Sequence, residues 1–316
     1  MGKDASLSLF NVQLRNCQAQ GRGGAVFVGS GSALVVRNTA IDDNSADVDG
    51  GGTYVYQGSM EADNSSVSGN SAGNDGGGIC LDKGSLSVVA SLINSNSANN
   101  GGAVSAVLGS SVTLYESTVS GNTATGNGGG FNVMGSRLTA SQSSINSNVA
   151  LDGGGAFVTS SSCVHLVEGS SMDRNVAAND GGGLCLMYAS NFMAMISSIN
   201  DNTAGSNGGG LKAFISCIIT LDQGSSANSN TAGMRGGGVN IFTYKCLNEI
   251  SKFIHGYGIH ANLPCRGEYM LAWIQYTCIR SCSLSLSLAL PLSFPLCLYV
   301  LTHKYTCIYM HVHVSS

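Results

Sequence analysis

Apolar and polar positions along the first 244 residues repeat with a period of 25 to 28 residues. Each repeat holds a glycine pair, a small residue and an apolar residue, after which mixed and apolar positions alternate. Such alternation indicates a β-strand with one buried face. The apolar residues that follow the nine glycine pairs are Val26, Tyr54, Ile79, Val104, Phe131, Phe157, Leu184, Leu211 and Val239.

Three further columns precede the glycine pairs. From the second repeat onwards, an apolar residue, most often Ile or Val, lies three residues before a recurring asparagine. Two residues earlier again, the chain has Ser or Thr every time. The asparagine lies five to seven residues before each glycine pair, at Asn16, Asn44, Asn70, Asn96, Asn122, Asn148, Asn175, Asn202 and Asn230.

A solenoid accounts for all of these columns, because each repeat then forms one coil and successive coils stack as parallel strands. The pattern predicts an all-β domain over residues 1–244, with about nine coils of about 27 residues. Each coil is expected to hold three short strands and three bends. We expect the asparagines to occupy left-handed corners and to hydrogen-bond along the stack. A helical solenoid is disfavoured, since Gly, Ser, Thr and Asn are poor helix formers.

The paired motifs resemble the repeats of chlamydial polymorphic outer membrane proteins, which combine Gly-Gly-Ala-(Ile/Leu/Val) with Phe-x-x-Asn. This chain reads "GGAV" at 23–26 and "GGGL" at 181–184, and its partner motif reads "VSGN" at 67–70. The resemblance covers roughly residues 5–242. It implies a right-handed parallel β-helix of the pectin-lyase-like class and a surface-exposed adhesin, and hence an extracellular or cell-surface location.

Charge and composition argue against nucleic acid as a partner, and the N-terminal residues bear on where the folded domain begins. Only 10% of the residues are charged and the net charge is −4, so the chain lacks the basic footprint of a nucleic-acid-binding protein. Residues 1–11 contain no apolar run of secretory-signal length. Since nothing upstream covers the first coil, we expect the natural protein to begin earlier.

The composition changes abruptly after Tyr244. All three prolines lie beyond this residue, as does the low-complexity stretch "SLSLSLALPLS" at 283–293. We expect residues 245–316 to form an irregular, partly hydrophobic tail with a doubtful fold, of the kind that read-through of noncoding sequence produces. The alternative is a membrane anchor at 284–301, which is uncharged and approaches the length of a membrane span.

Among the polar residues, four aspartates form the strongest candidate for a functional site. Asp49 and Asp75 precede the glycine pairs of adjacent coils, and Asp152 and Asp180 do the same further along the chain. Stacking should bring the members of each pair within several ångströms of each other. They could form a Ca²⁺ site, paired acid and base carboxylates, or corner residues favoured by turn chemistry. The sequence predicts no catalytic residue, and Ca²⁺ is the one cofactor that it allows.

The cysteines and the histidine of the body do not indicate a functional site more strongly than the aspartates do. In the predicted register Cys163 and Cys217 share a column two coils apart, a separation of about 9.6 Å at the spacing of stacked strands. Because this distance exceeds disulfide reach, we expect thiols in the body of the chain. His165, the only histidine there, is expected to be a solvated or partly buried ring. The five cysteines of the body are Cys17, Cys80, Cys163, Cys185 and Cys217.

Three functions fit these observations. The first is a noncatalytic β-solenoid, part of a larger surface or secreted adhesin-like protein whose polar faces bind glycans or protein partners. The second is a polysaccharide lyase or hydrolase on the same fold, which requires at least three acidic or basic side chains that converge on one strand face. The third is a nonfunctional gene fragment, which the composition of the tail favours.

Overall fold

The computed structural model describes residues 5–222, 224–242, 298–302 and 306–310, and its body is a stack of nine coils. Every coil contributes one strand to each of three nine-stranded parallel sheets, and the first seven coils also contribute to a fourth sheet. The described part of the chain contains no helix. The prediction of an all-β parallel solenoid of about nine coils is therefore confirmed.

We name the sheets A to D in the order in which the chain enters them. Sheet A consists of Ser6–Phe10, Ala33–Arg37, Ser59–Asp63, Ser85–Val89, Ser111–Tyr115, Arg137–Ser141, Cys163–Val167, Asn191–Ala194 and Ile218–Leu221. Sheet B consists of Gln13–Arg15, Ala40–Asp42, Ser66–Ser68, Leu92–Asn94, Thr118–Ser120, Ser144–Asn146 and Ser171–Asp173. Isolated bridges at Ser198 and Ser226 continue the column of sheet B.

The two remaining sheets complete each coil. Sheet C consists of Gln18–Ala19, Ser45–Ala46, Ser71–Ala72, Ser97–Ala98, Thr123–Ala124, Val149–Ala150, Val176–Ala177, Thr203–Ala204 and Thr231–Ala232. Sheet D consists of Val26–Val28, Thr53–Tyr56, Ile79–Asp82, Val104–Val107, Phe131–Met134, Ala156–Thr159, Leu184–Met187, Leu211–Phe214 and Val239–Phe242.

The predicted tail falls mostly outside the described residues. Beyond residue 242 the structure describes only an antiparallel pair of strands, Leu298–Thr302 with Thr306–Met310. The rest of the tail at 245–316, and most of the anchor stretch at 284–301, lies outside the described part of the chain.

Each of the first seven coils contains four strands, so the expectation of three was wrong. The additional strand is the two-residue strand of sheet C, such as Ser71–Ala72, which pairs with its neighbours in both adjacent coils. Two residues are too few to produce a visible alternation of apolar and polar positions. This strand was therefore hidden inside what the sequence presents as a bend.

The predicted register was wrong by one residue in two coils. Thr53, not Tyr54, pairs with Val26 and Ile79, and Ala156, not Phe157, pairs with Phe131. Each of these coils contains three consecutive glycines, and the first of them, Gly50 or Gly153, has a positive φ of 67° or 65°. In all nine coils the strand of sheet D begins three residues after the left-handed glycine. Because that residue is Thr53 or Ala156 in these two coils, the large apolar residue that follows it is a misleading marker.

Inward-facing residues form one continuous apolar core. Ile41, Val67 and Ile93 of sheet B, for example, stack in register and are at most 2% exposed. Each of them contacts its counterparts in the coils before and after, so burial is nearly complete in the middle of the stack. The core is less complete at its ends, where Leu9, Leu14 and Val239 are only partly buried.

Successive coils from the second to the ninth are joined by an asparagine ladder, the hydrogen-bonded column that runs from Asn44 to Asn230. The Oδ1 of Asn122 accepts the backbone N–H of Asn96 at 2.9 Å and its side-chain amide at 3.0 Å. The Nδ2 of Asn122 in turn donates to Asn148 and to the carbonyl oxygen of Ile93. The same pattern repeats at Asn44, Asn70, Asn96, Asn148, Asn175 and Asn202.

Asn16 does not belong to this ladder. Cys17 occupies the ladder position in the first coil, where its backbone N–H donates to Oδ1 of Asn44 at 2.9 Å. Asn16 itself has a φ of 57°. The left-handed corner thus lies one residue before the ladder, which corrects the expectation that the ladder asparagines occupy it. The corresponding left-handed residues are Asp43, Gly69, Ser95, Gly121, Ser147, Arg174, Asp201 and Ser229.

The glycine corner allows coils to approach closely. A Cβ atom on Gly129 would lie 2.5 Å from the carbonyl oxygen of Gly154 and 2.6 Å from the backbone nitrogen of Val149. Real Cβ atoms do not occur at such distances, so a side chain at this position would push two coils apart.

Replacement of a ladder asparagine should leave polar groups buried and unpaired. We expect Asn122→Leu to lower the free energy of unfolding by about 1–3 kcal/mol, because the N–H and amide groups of Asn96 lose their acceptor. Urea denaturation measures this difference. Asn99→Leu is the control, since Asn99 is exposed and its side chain accepts only the hydroxyl of Thr125. Equal midpoints for Asn122→Leu and the unsubstituted protein would contradict the role of the ladder.

Glycine substitution tests the close approach of the coils. We expect Gly129→Ala to destabilise the protein by about 1–3 kcal/mol, the usual cost of overpacking. Gly21→Ala is the matched control, because a Cβ atom on Gly21 meets nothing within 4 Å. Thermal unfolding followed by circular dichroism compares the two variants, and equal melting temperatures would contradict the steric argument.

Candidate functional site

The four candidate aspartates lie on one line at the entrance to sheet D. Asp49, Asp75, Asp152 and Asp180 each come directly before the left-handed glycine of their coil. In the intervening and following coils the same position holds Asn100, Asn127 and Asn207. The column therefore consists of Asp or Asn in seven coils, and we call it the Asx ladder.

One oxygen of each aspartate is used within this ladder. Oδ1 of Asp49 accepts the backbone N–H of Asp75 at 3.3 Å, and Oδ1 of Asp75 accepts the amide of Asn100 at 3.0 Å. Oδ1 of Asp152 accepts the backbone N–H of Asp180 at 3.1 Å, and Oδ1 of Asp180 accepts that of Asn207 at 3.0 Å. Stacking thus brings Asp49 to Asp75, and Asp152 to Asp180. The Oδ1 atoms of these aspartates therefore have a structural role, since they accept hydrogen bonds from the next coil.

Two of the aspartates also pair with a cation from a neighbouring coil. Arg22 Nε lies 2.8 Å from Oδ2 of Asp49, and the guanidinium group stacks 4.9 Å from the ring centre of Tyr54. Lys212 reaches back one coil, and its Nζ contacts Oδ2 of Asp180. Lys212 and Asp180 are 16% and 20% exposed, so this ion pair is well shielded from water. Arg22 lies in the same column as Asp49, directly before Gly23, whereas Lys212 lies in a different column from Asp180 and is 32 residues away from it.

Burial raises the pKa values of several ionisable groups on and beside the outer face of sheet D. Burial raises the pKa of Asp75 and of Asp152, in both cases with a smaller contribution from the neighbouring aspartate. Burial likewise raises the pKa of Tyr54 to about 12. Cys80 and Cys185 are 3% exposed, and burial raises the pKa of both thiols. Because both thiols stay protonated at neutral pH, neither has the properties of a nucleophile.

A calcium site was one of the three interpretations of these same aspartates. Ca²⁺ takes six to eight oxygen ligands, whereas the ladder brings its carboxylates together only two at a time. Within the described residues, no group of three or more His, Cys, Asp or Glu side chains could hold a metal ion.

The cysteine register also differs from the prediction. Cys163 pairs with Asn191, which in turn pairs with Ile218, so Cys217 lies in the neighbouring column. The five cysteines of the body are thiols in the described chain. His165 lies on the outer face of sheet A beside Thr139 and Met193. Burial, together with the positive charge of Arg137, lowers the pKa of His165.

A groove of about 710 Å³ follows the corner between sheets A and B across the first five coils. One wall carries the left-handed corner residues of successive coils, and the floor carries the column of Ser and Thr residues that precedes sheet B. Asn64 donates to Asn38 at 2.6 Å within that wall. The wall residues are Asn11, Asn38, Asn64, Ala90 and Glu116, and the floor residues include Thr39, Ser65 and Ser91.

The hydroxyl groups of the floor are already engaged with the backbone. Ser65 Oγ donates to the carbonyl oxygen of Asp63 and accepts the backbone N–H of Thr39. Ser91 does the same one coil later. The wall residues Asn11, Asn38 and Asn64, in contrast, are exposed. The sequence pattern does not predict this groove, because the wall changes residue type at Ala90. The three Asn residues at coil spacing are the one signal of it in the sequence.

Comparison with known proteins identifies no relative, since the chain matches no protein-family model, no curated protein and no solved structure. Among the described segments, none is a helix of the length and apolarity that a membrane span requires.

The raised pKa of Asp75 predicts a pH-dependent stability. A carboxyl group with a raised pKa in the folded state stabilises the fold below its unfolded pKa, and this contribution is lost as the pH rises through the folded pKa. Asp75→Asn keeps the ladder acceptor and removes the charge. We therefore expect this variant to have the higher free energy of unfolding at pH 7, with the gain disappearing as the pH falls below about 3.9.

Urea denaturation at several pH values tests this expectation. Asp47→Asn is the control, because Asp47 is an exposed acid outside the ladder, and its substitution should change stability little at any pH. An Asp75→Asn variant no more stable than the unsubstituted protein at pH 7 would contradict the electrostatic argument.

Proposed function

We propose that this solenoid is a noncatalytic, adhesin-like recognition protein, which binds an extended glycan along the groove between sheets A and B. The observation that carries this proposal is the course of the groove, which crosses five coils in line with the stack. Every coil repeats the backbone of the one before it, so the groove offers similar contacts at regular intervals. A polymer with a repeating polar backbone is the ligand that such a surface suits best.

The chemistry of the wall supports a glycan over a charged polymer. Asn11, Asn38 and Asn64 each offer a side-chain amide, which both donates and accepts hydrogen bonds as sugar hydroxyl groups do. Among the described residues that line the groove, Glu116 is the only charged one. We infer a neutral glycan, because a polyuronate would meet this carboxylate without a compensating cation in the lining.

The resemblance to chlamydial outer membrane protein repeats supports the same interpretation. It associates this coil pattern with surface-exposed adhesins, and we extend the proposal to an extracellular or cell-surface location. A protein ligand remains the alternative partner for the same groove.

One observation favours an enzyme as the second candidate. Asp152 and Asp180, at the corner before sheet D, lie near Lys212 on its outer face, which brings three ionisable groups together, although only Lys212 lies on a strand. Their engagement in the ladder and in an ion pair favours a structural role. Appearance of new reducing ends when the protein is incubated with a polysaccharide would favour the enzyme.

Calorimetry of the full chain with soluble neutral β-glucan, mannan and a polyuronate tests the proposal. We expect binding to a neutral polymer, and an affinity about tenfold lower for the double variant Asn38→Gly with Asn64→Gly, which loses hydrogen bonds of about 1.4 kcal/mol in total. Glycine suits these positions, where φ is 48° and 45°.

Asn16→Gly is the matched control, since Asn16 is also a left-handed corner asparagine, with a φ of 57°, but lies outside the groove. The control should bind as the unsubstituted protein does. Equal affinity of the double variant, or binding to none of the polymers, would overturn the proposal. Attachment to a cell surface that survives enzymatic removal of its glycans would favour a protein partner instead.

A further inference from the structure

An amine, a carboxyl group and a second acid lie together where coils seven and eight meet. Lys212 Nζ contacts Oδ2 of Asp180, which is held in place by hydrogen bonds from Asn207 to its Oδ1. The Oδ1 of Asp152 accepts the backbone N–H of Asp180 at 3.1 Å. Asp152 also interacts electrostatically with the charges of both Asp180 and Lys212.

The surroundings of this cluster exclude much of the solvent. Lys212 follows Cys185 in the outward column of sheet D, and Cys185 follows Phe157. Cys185 is 3% exposed, and the side chains of Lys212 and Asp180 are four-fifths or more buried. The stem of Lys212 is therefore fixed against the sheet, and its amine is directed to a single carboxyl group.

We propose that Lys212 and Asp180 form an intramolecular isopeptide bond, with Asp152 as the proton-transfer group. The bond would join coils seven and eight covalently through their side chains. This inference does not depend on the proposed glycan-binding function, because the cluster lies at sheet D and not in the groove.

The reaction is a condensation that balances without an oxidant or another reactant. A proton passes within the ion pair from Nζ to the Asp180 carboxylate, which gives a neutral amine and a neutral acid. The Nζ lone pair attacks Cγ of Asp180, and the carboxyl group of Asp152 relays the second amine proton to the departing oxygen. The Nζ–Cγ bond forms, one Cγ–O bond breaks, and one water molecule leaves.

Proximity provides the driving force and the rate. Amide formation from free acid and amine is unfavourable in water, but reacting groups held in contact reach effective molarities of about 10⁵–10⁸ M. Burial raises the pKa of Asp152. A raised pKa favours the acid form, through which a carboxyl group relays protons.

The other end of the Asx ladder holds an ion pair that can be compared with Lys212 and Asp180. Arg22 and Asp49 form an analogous ion pair between adjacent coils, with Nε 2.8 Å from Oδ2. A guanidinium group remains protonated in proteins and does not act as a nucleophile. The structure thus places one reactive and one unreactive pair along the same ladder.

Mass spectrometry of the folded full chain tests the proposal. We expect an intact mass lower than the sequence mass by one water molecule, and a protease digest with a branched peptide that joins Lys212 to the segment around Asp180. Trypsin should fail to cleave after Lys212. A folded protein with its full sequence mass, and with normal cleavage at this lysine, would overturn the proposal.

Variants separate the isopeptide from a rival dehydration. Lys212→Arg should restore the full mass, whereas Asp180→Asn should lose one ammonia in place of one water. Asp152→Ala should lower the cross-linked fraction at a given time after folding. If Lys212→Arg still lacks one water, the loss arises from a succinimide at Asp180–Gly181, and the isopeptide is excluded.

Discussion

The approach of one coil to the next at the glycine corner is the constraint on which the rest of the structure depends. Parallel strands stack about 4.8 Å apart, and at this corner a backbone oxygen occupies the space that a side chain needs. A Cβ atom on Gly77 would lie 2.4 Å from the carbonyl oxygen of Gly102. Because four sheets share one stack, separation here would disturb the register of all of them. The glycine column therefore sets the spacing that the apolar columns and the ladders require.

Regular spacing also divides the polar groups into two kinds. Inside the stack, the asparagine ladder satisfies its own amides, so Asn70 and Asn122 are buried at no loss of hydrogen bonding. At the outer corners, the left-handed residues Asn38 and Asn64 remain exposed. Recognition chemistry thus has to come from these corners and from the outer sheet faces. Both kinds follow straight lines along the stack, which is why an extended ligand is the natural partner for the outer columns.

The sequence predicted the fold because columns of one chemistry at one spacing are compatible with few architectures besides a solenoid, and the structure has the nine coils that the columns require. The predicted register of sheet D failed only in the second and sixth coils, where Thr53 or Ala156 takes the first position of the strand and the large apolar residue follows one position later. The sequence also identified the acidic column without its partners. Lys212 lies 32 residues from Asp180, and only the path of the coil places them together. The position of the groove depends equally on that path.

The Asx ladder itself needs only one acceptor per coil, since Asn100 accepts within it as well as aspartate does. What aspartate adds is a second oxygen with charge, and at Asp49 and Asp180 that oxygen meets a cation from the adjacent coil. Both pairs lie towards the ends of the stack, where a coil has fewer neighbours to stabilise it. In the ninth coil, Ile241 is already 41% exposed. The charges therefore reinforce contacts between coils where the apolar core gives the least support.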